Sequence, residues 1–232
     1  MFVSGNEQDI ALKLTLSAIE VRILGCLIEK QATTPDVYPL TVNALLTACN
    51  QKSNREPVMD LDTPAVMTAV DSLIEKTLVS LYQSGRSRMA KYRHRLHQRA
   101  FDEFNFSTPE LAVLGVLFLR GPQTPGEIRS RSARIHEFLD LDAVMEVLKQ
   151  LEESSDGPYL KMLLRQAGRK ESRYAHLFSG DVEEFVEPGH GGQEISVERN
   201  SRPEDLAVEV RELKKKLFDL EHRFEEFVKQ FQ

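Results

Sequence analysis

The sequence predicts a mainly α-helical protein with small β-wings, an α+β fold of two tandem winged helix-turn-helix domains followed by a C-terminal coiled-coil helix. Three observations lead there. Between Leu16 and Leu96 two amphipathic helical patterns, a third after a polar loop, and two apolar ribbons joined by Ser84-Gly85-Arg86-Ser87 follow in the order of a winged helix. That order recurs: Leu16–Leu27 aligns with Phe106–Leu117, with Ser17, Glu20, Leu24, Gly25 and Leu27 returning as Ser107, Glu110, Leu114, Gly115 and Leu117. From Leu206 onward, apolar residues alternate at spacings of four and three, the pattern of a coiled coil.

The boundaries follow from these patterns. Residues 1–15 form an N-terminal tail, 16–105 the first winged-helix domain, 106–180 the second, 181–205 an acidic flexible linker, and 206–232 the coiled-coil helix. Ser17-x-x-Glu20 and Ser107-x-x-Glu110 are capping boxes that open the first helix of each copy. Thr41 is the expected cap of helix two, with Val42, Leu45, Leu46 and Cys49 as its buried stripe. In the second copy, Thr124 followed by Pro125 starts the equivalent helix. Helix three is expected from about Thr63 to Lys76 with Val66, Val70, Leu73 and Ile74 inward, and its counterpart buries Leu141, Val144, Leu148 and Leu151. Ala65-Val66-Met67 returns as Ala143-Val144-Met145, and Tyr92-Arg93-His94 as Tyr174-Ala175-His176. Units of this size are marginally stable alone, so packing of one copy on the other or dimerisation is expected to supplement both cores.

The net charge of −6 argues against nucleic acid until it is divided along the chain. Residues 1–106 hold 12 basic and 12 acidic side chains, residues 107–180 hold 10 and 10, and residues 181–232 hold 8 and 14, so the acidity sits in the tail. Against that neutral background, Gly85–Arg99 carries six Lys or Arg and no acid. In the strand Met89–Leu96, Ala90, Tyr92, His94 and Leu96 point one way and Lys91, Arg93 and Arg95 the other, giving one packing face and one cationic face. With Arg86 and Arg88 on the wing, Arg99 beyond it, and Lys52 and Arg55 from the loop Asn50–Pro57, these are the candidate nucleic-acid contacts. The loop itself reads as either a structural knot or a contact surface. Helix three offers Ala65, Met67, Thr68, Asp71 and Ser72 outward, with Asp60 and Asp62 before it, so any DNA contact is expected to position without specifying.

Other chemistry finds little support in the residues. No phosphate-cradling glycine loop and no nucleophile elbow is present, so no enzyme, cofactor or catalytic residue is expected. Alternation sends His94 and His97 to opposite faces, so their H-x-x-H spacing does not predict a metal site. His94 and His176 read as core-side residues with a hydrogen-bond partner each. Cys26 and Cys49 read as reduced core thiols. With no run of about 18 apolar residues and no export-signal pattern in Met1–Thr15, a cytoplasmic protein without a membrane span is expected. Leu206, Val210, Leu213, Leu217, Leu220 and Phe224 are the expected seam of a parallel homodimer, with packing of that stripe onto its own chain as the alternative.

The runs Ile23–Lys30, Thr33–Leu40, Asn43–Leu45 and Ala48–Met59, the last containing Asn-Gln-Lys-Ser-Asn-Arg, closely resemble the YceH family of bacterial proteins of uncharacterised function. The likeness covers about Leu14–Phe178, and the tail looks like the family's coiled-coil segment. Glu56 stands where Asp is the expected family choice. The resemblance implies a cytoplasmic protein of tandem winged helices and carries over no activity, cofactor or catalytic residue. Two functions are expected from the residues: a DNA-binding regulator using the basic wing of the first domain, or a protein–protein adaptor without direct DNA contact.

Overall fold

In each repeat three helices are followed by a two-stranded antiparallel hairpin. The computed structural model describes residues 14–83, 89–97, 104–154, 156–164 and 171–180, all within a unit spanning Met1–Val186. In the first repeat α1 is Ala18–Thr33, α2 Val42–Cys49, α3 Thr63–Glu75, β1 Val79–Tyr82 and β2 Lys91–His94. In the second, α4 is Thr108–Arg120, α5 Pro125–Ser132, α6 Leu141–Glu152, β3 Leu160–Met162 and β4 Tyr174–His176. The linker and the coiled-coil seam from Leu206 to Phe224 lie outside the described residues, as does the Gly85 turn.

Local chemistry sets the helix starts. At Ser17 and Ser107 the backbone amide donates to the glutamate three residues on (2.7 Å at each), and each serine hydroxyl accepts from that glutamate's amide. Thr124 and Glu127 make the same reciprocal pair before α5, and Thr41 caps α2. The two third helices are capped by Asp62 and Asp140, which accept from Ala65 N and Ala143 N at 2.9 and 2.8 Å. The acid before helix three therefore has a structural task. Glu20 extends its cap into tertiary structure: its other oxygen accepts from Ser72 Oγ (2.9 Å) and Lys76 Nζ (2.5 Å), tying the start of α1 to the end of α3.

The hairpins gain a third partner that the sequence pattern does not reveal. β1 pairs β2 with Val79 opposite His94 and Tyr82 opposite Lys91, and β3 pairs β4 with Leu160 opposite His176. Leu40, just before α2, then exchanges both backbone hydrogen bonds with Tyr92 (3.0 and 2.7 Å), and Gln123, just before α5, does so with Tyr174 (3.1 and 2.8 Å). Each hairpin is thereby fastened to the entry of its own second helix.

Between the repeats the contacts are reciprocal. Leu16 N donates to Phe178 O (2.6 Å) and Phe106 N donates to Leu96 O (3.0 Å), so the start of each repeat bonds the end of the other. Around this closure Phe104, Phe106, Tyr159, Phe178 and Phe118 pack mainly edge to face, Phe106 on Tyr159 at 4.8 Å and Phe118 on Phe178 at 5.1 Å. At the centre α1 lies against α4. Glu20–Glu29 and Leu111–Leu119 are buried without interruption, as expected of helices enclosed on every side. The approach is close at the two equivalent glycines. A Cβ at Gly25 would sit 2.9 Å from Leu119 Cγ and 3.0 Å from Phe118 Cβ, and one at Gly115 would sit 3.1 Å from Ile28 Cγ2. One apolar core results, with residues from both repeats.

Two burial expectations are corrected. Leu141, at the first position of α6, is 44% exposed, because its neighbours on the inward stripe begin only at Val144. Val42 and Leu46 are half-buried, leaving Leu45, Ala48 and Cys49 to fill the centre.

Gly25→Leu should lower unfolding stability by about 1–3 kcal/mol through overpacking of the α1–α4 contact. Gly126→Ala, where a Cβ meets nothing within 4 Å, should raise it by about 0.5–1 kcal/mol. Denaturant unfolding of both variants measures the two effects, and equal effects would contradict the close approach.

Candidate nucleic-acid interface

Alternation along β2 produces the face that matters. Tyr92, His94 and Leu96 are buried, whereas Lys91, Arg93 and Arg95 are half-exposed on the opposite side. The buried side is anchored by His94. Its Nδ1 accepts from Leu96 N (3.3 Å), which places the proton on Nε2, hydrogen-bonded to Gln31 Oε1, while its own amide donates to Tyr38 Oη (3.0 Å). Burial, and secondarily the charge of His97, push its pKa down to about 4. The ring is therefore neutral at physiological pH. His97 faces elsewhere and hydrogen-bonds Phe106 O through Nδ1 (2.9 Å).

On the outer side Arg93 lies over the Tyr82 ring, 5.8 Å from its centroid, and its Nε donates to Ser80 Oγ (3.0 Å). These contacts orient the guanidinium without neutralising it. Among the described residues no carboxylate forms an ion pair with Lys91 or Arg93. Arg95 continues the face, half-exposed and with a partner of its own. Arg86, Arg88 and Arg99 lie outside the described residues.

The loop Asn50–Pro57 contributes differently from expectation. Arg55 is no phosphate contact: its side chain is 0% exposed. Its Nη2 pairs with Glu29 Oε2 (2.7 Å), Nη1 bonds Glu29 Oε1 (3.3 Å), and Nε donates to Ala48 O (3.0 Å). Beside it Arg22, also buried, donates to Cys49 O (3.1 Å) and Pro57 O (2.6 Å). The two arginines satisfy the terminal carbonyls of α2, where the helix dipole favours positive charge. Asn50 closes the loop by exchanging hydrogen bonds with Leu61 (2.8 and 2.9 Å). The loop then reaches the second repeat: Glu56 N donates to Leu119 O (2.8 Å) and Asn54 Oδ1 accepts from Arg120. The arrangement is a structural knot that clasps the repeats together. Of its two expected contacts only Lys52 is exposed, and no described contact carries it to the ribbon.

The Glu29 carboxyl is held below the ordinary glutamate range. Burial works to raise its pKa, but the Arg55 hydrogen bonds and charge, aided by Lys30 at 3.3 Å, outweigh it. Cys26 and Cys49 are free thiols in the same interior. His176 departs from its expected role: its Nδ1 is buried without a hydrogen-bond partner, and its ring stands edge-on to Phe118 at 5.0 Å. Burial pushes its pKa down to about 4. On α3 the exposed positions are Thr63, Pro64, Thr68, Asp71 and Glu75, so neither lysine, arginine, asparagine nor glutamine faces out from it. Among the described residues no cluster of His, Cys, Asp or Glu can hold a metal, and no helix is long and apolar enough to cross a membrane.

A second basic group escaped the charge count because its segment is neutral overall. Arg131 and Arg134, at the end of α5 and in the turn beyond, line one cavity with Arg120 from the end of α4, all three from the second repeat, and the first repeat adds Glu29 and Asn54 to its wall. The signal available in the sequence was the run Arg129-Ser-Arg131-Ser-Ala-Arg134, which has no acid in it.

A family model described as "Protein of unknown function, DUF480" matches residues 16–169. A UPF0502 protein of Pectobacterium carotovorum subsp. carotovorum is 44% identical over 206 residues, covering 89% of this chain and 98% of its own. UPF0502 proteins YceH of Salmonella newport and Salmonella paratyphi B are each 44% identical over 209 residues, covering 90% of this chain and 97% of theirs.

Arg55→Ala leaves Glu29 buried without its partner and should cost about 3–5 kcal/mol in denaturant unfolding. A cost under about 1 kcal/mol would show that the clasp is solvent-screened. The histidines give a pH dependence of definite sign. Each has a folded pKa near 4 against about 6.5 unfolded, so the unfolded chain binds more protons between those values, and stability is complete above about pH 6.5 and lost as pH falls toward 4. The loss reaches up to about 3 kcal/mol per ring. His176→Phe keeps the edge contact and removes one titration, so it should roughly halve the loss between pH 7 and pH 4.5; a profile unchanged from wild type would exclude the buried ring as a cause.

Proposed function

This chain belongs to the DUF480 family of proteins of unknown function, and we propose that it is a non-enzymatic regulator that holds duplex DNA by its phosphate backbone through the ribbon of the first repeat. The observation that carries the reading is the outward face of β2. Lys91 and Arg93 project from a strand anchored on one side by β1 and on the other by Leu40 and Tyr38, and no described carboxylate forms an ion pair with them. A tandem winged-helix reading of the fold is supported by the order of three helices and a hairpin in both repeats, and by the Leu40–Tyr92 and Gln123–Tyr174 bridges that fasten each hairpin to its second helix. Arg86 and Arg88 in the wing, with Lys52 and Arg99, would extend the cationic surface. A parallel pair formed through Leu206, Val210, Leu213, Leu217, Leu220 and Phe224 would present two ribbons to one duplex in the cytoplasm.

The mode of contact follows from what α3 lacks. Bidentate base readers are absent from its exposed positions, so the binding proposed is electrostatic and tolerant of sequence. A second reading, a protein–protein adaptor, is favoured by a separate observation. Leu139, Leu141, Met145, Met162 and Leu164 are all 39% exposed or more on the second repeat.

Anisotropy titration of a random-sequence duplex at about 50 and 200 mM salt tests the first reading. With about four phosphates contacted, log K against log salt should have a slope near −4. Lys91→Gln with Arg93→Gln should weaken binding by about tenfold or more and flatten the slope by about 2. No binding by wild type, or equal affinity of the double variant, would favour the adaptor.

A further inference from the structure

A cavity of about 190 Å³ lies where the two repeats meet. Asn54 reaches it from the loop of the first repeat, Gly115 and Arg120 line it from α4, and Ser130, Arg131 and Arg134 line it from α5 and the turn beyond. The space accommodates several waters and therefore a group of phosphate size.

Its charge is unbalanced. Glu29, the carboxylate in its wall, is already shared between Arg55 (2.7 Å) and Lys30 (3.3 Å). Glu127 beneath Arg131 is likewise shared, between Arg131 (3.4 Å) and Arg173 (2.7 Å). Arg134 forms no ion pair with a described residue, and Glu56, the remaining acid that acts on Arg120, is exposed on the loop. Burial, then the like charges of Arg131 and Arg55, lower the Arg120 pKa, as expected where guanidinium groups crowd together without enough counter-charge. Arg120 is positioned by its bond to Asn54, so it is held at the cavity before any ligand arrives.

We propose that this cavity is a binding site for a small phosphate-bearing molecule, gripped by Arg120, Arg131 and Arg134 with the Ser130 hydroxyl as a further donor. Guanidinium groups arriving from two different helices suit a tetrahedral oxyanion, which offers oxygens in several directions, better than a planar carboxylate, which offers two. The grip comes from the second repeat, and Asn54 of the first repeat holds Arg120 in place, so such a ligand would bind best where the repeats are in contact and would stabilise that contact. The proposal is independent of the ribbon, which lies on other residues.

Calorimetric titration of the full chain with inorganic pyrophosphate tests it. Saturable binding with a rise of several degrees in melting temperature is expected. Arg131→Gln with Arg134→Gln should weaken it about tenfold or more, while Lys91→Gln with Arg93→Gln leaves it unchanged. Arg134→Gln alone, which breaks no ion pair, serves if the double variant is less stable. Absence of saturable binding, unaltered affinity in both α5 variants, or succinate binding as tightly as pyrophosphate would overturn the assignment. Displacement of pyrophosphate by a short duplex from the variant carrying Lys91→Gln and Arg93→Gln, whose ribbon no longer holds DNA, would also overturn it, by placing backbone phosphate in the cavity. Failure of the ribbon reading shows in the duplex titration and leaves this measurement untouched.

Discussion

The close approach of α1 and α4 at Gly25 and Gly115 is the constraint on which the rest of the structure depends. Helices whose backbones come this near cannot carry side chains at the contact, and here a Cβ on either glycine would press into the facing helix. Because both helices are buried along most of their length, neither repeat has a solvent face for its first helix. Each repeat completes the other's core instead. The reciprocal bonds Leu16–Phe178 and Phe106–Leu96 repeat that logic at the chain ends of the two units, in the manner of an isologous dimer interface formed within one chain.

That arrangement explains where the distinctive loop spends its polar groups. Arg55 and Arg22 close the C-terminus of α2, Glu29 comes from the end of α1, and Glu56 and Asn54 reach the end of α4. A buried arginine–glutamate pair is weak evidence for net stability, because desolvation offsets much of the attraction. Its value is in geometry: with five hydrogen bonds from Arg55 to groups on α1, α2 and its own loop, only one placement of the loop satisfies every charge. The same placement brings a guanidinium from the second repeat to the junction, so the clasp and the cationic cavity share Asn54 and Arg120.

Features set by neighbouring residues were legible in the sequence, and features set by distant ones were not. The capping boxes at Ser17, Ser107 and the Thr124 cap depend on residues three apart, and the alternation of β2 on a period of two, so pattern alone located them. The internal repeat even marked Gly25 and Gly115 as equivalent, although their purpose emerges only when α1 meets α4. Arg55 was misread because charge counting assigns cations to the surface; its partner Glu29 lies 26 residues away, across a contact no local period encodes. His176 was given a hydrogen bond on general grounds, whereas the room beside it is filled by the Phe118 ring. The Arg120, Arg131 and Arg134 group was missed for the opposite reason: averaging over residues 107–180 cancels a local excess that folding gathers at one point.

A division of labour follows for the proposed DNA contact. A ribbon whose Arg93 is oriented by Tyr82 and Ser80 can engage any phosphate backbone, and an α3 without exposed readers adds no base discrimination. Selectivity then has to come from deformation of the duplex, from a partner, or from control of when binding occurs. Control is the option for which this fold carries a physical means. A ligand spanning the repeat junction touches α4, α5 and the Asn50–Pro57 loop, and that loop is fixed to α2, whose entry residue Leu40 is hydrogen-bonded to Tyr92 on the ribbon itself. The connection is contiguous, but contiguity alone does not make coupling; it requires that the ribbon have two arrangements and that the ligand prefer one. If it does, linkage demands the converse, and duplex DNA must shift the affinity for the phosphate ligand by the same factor.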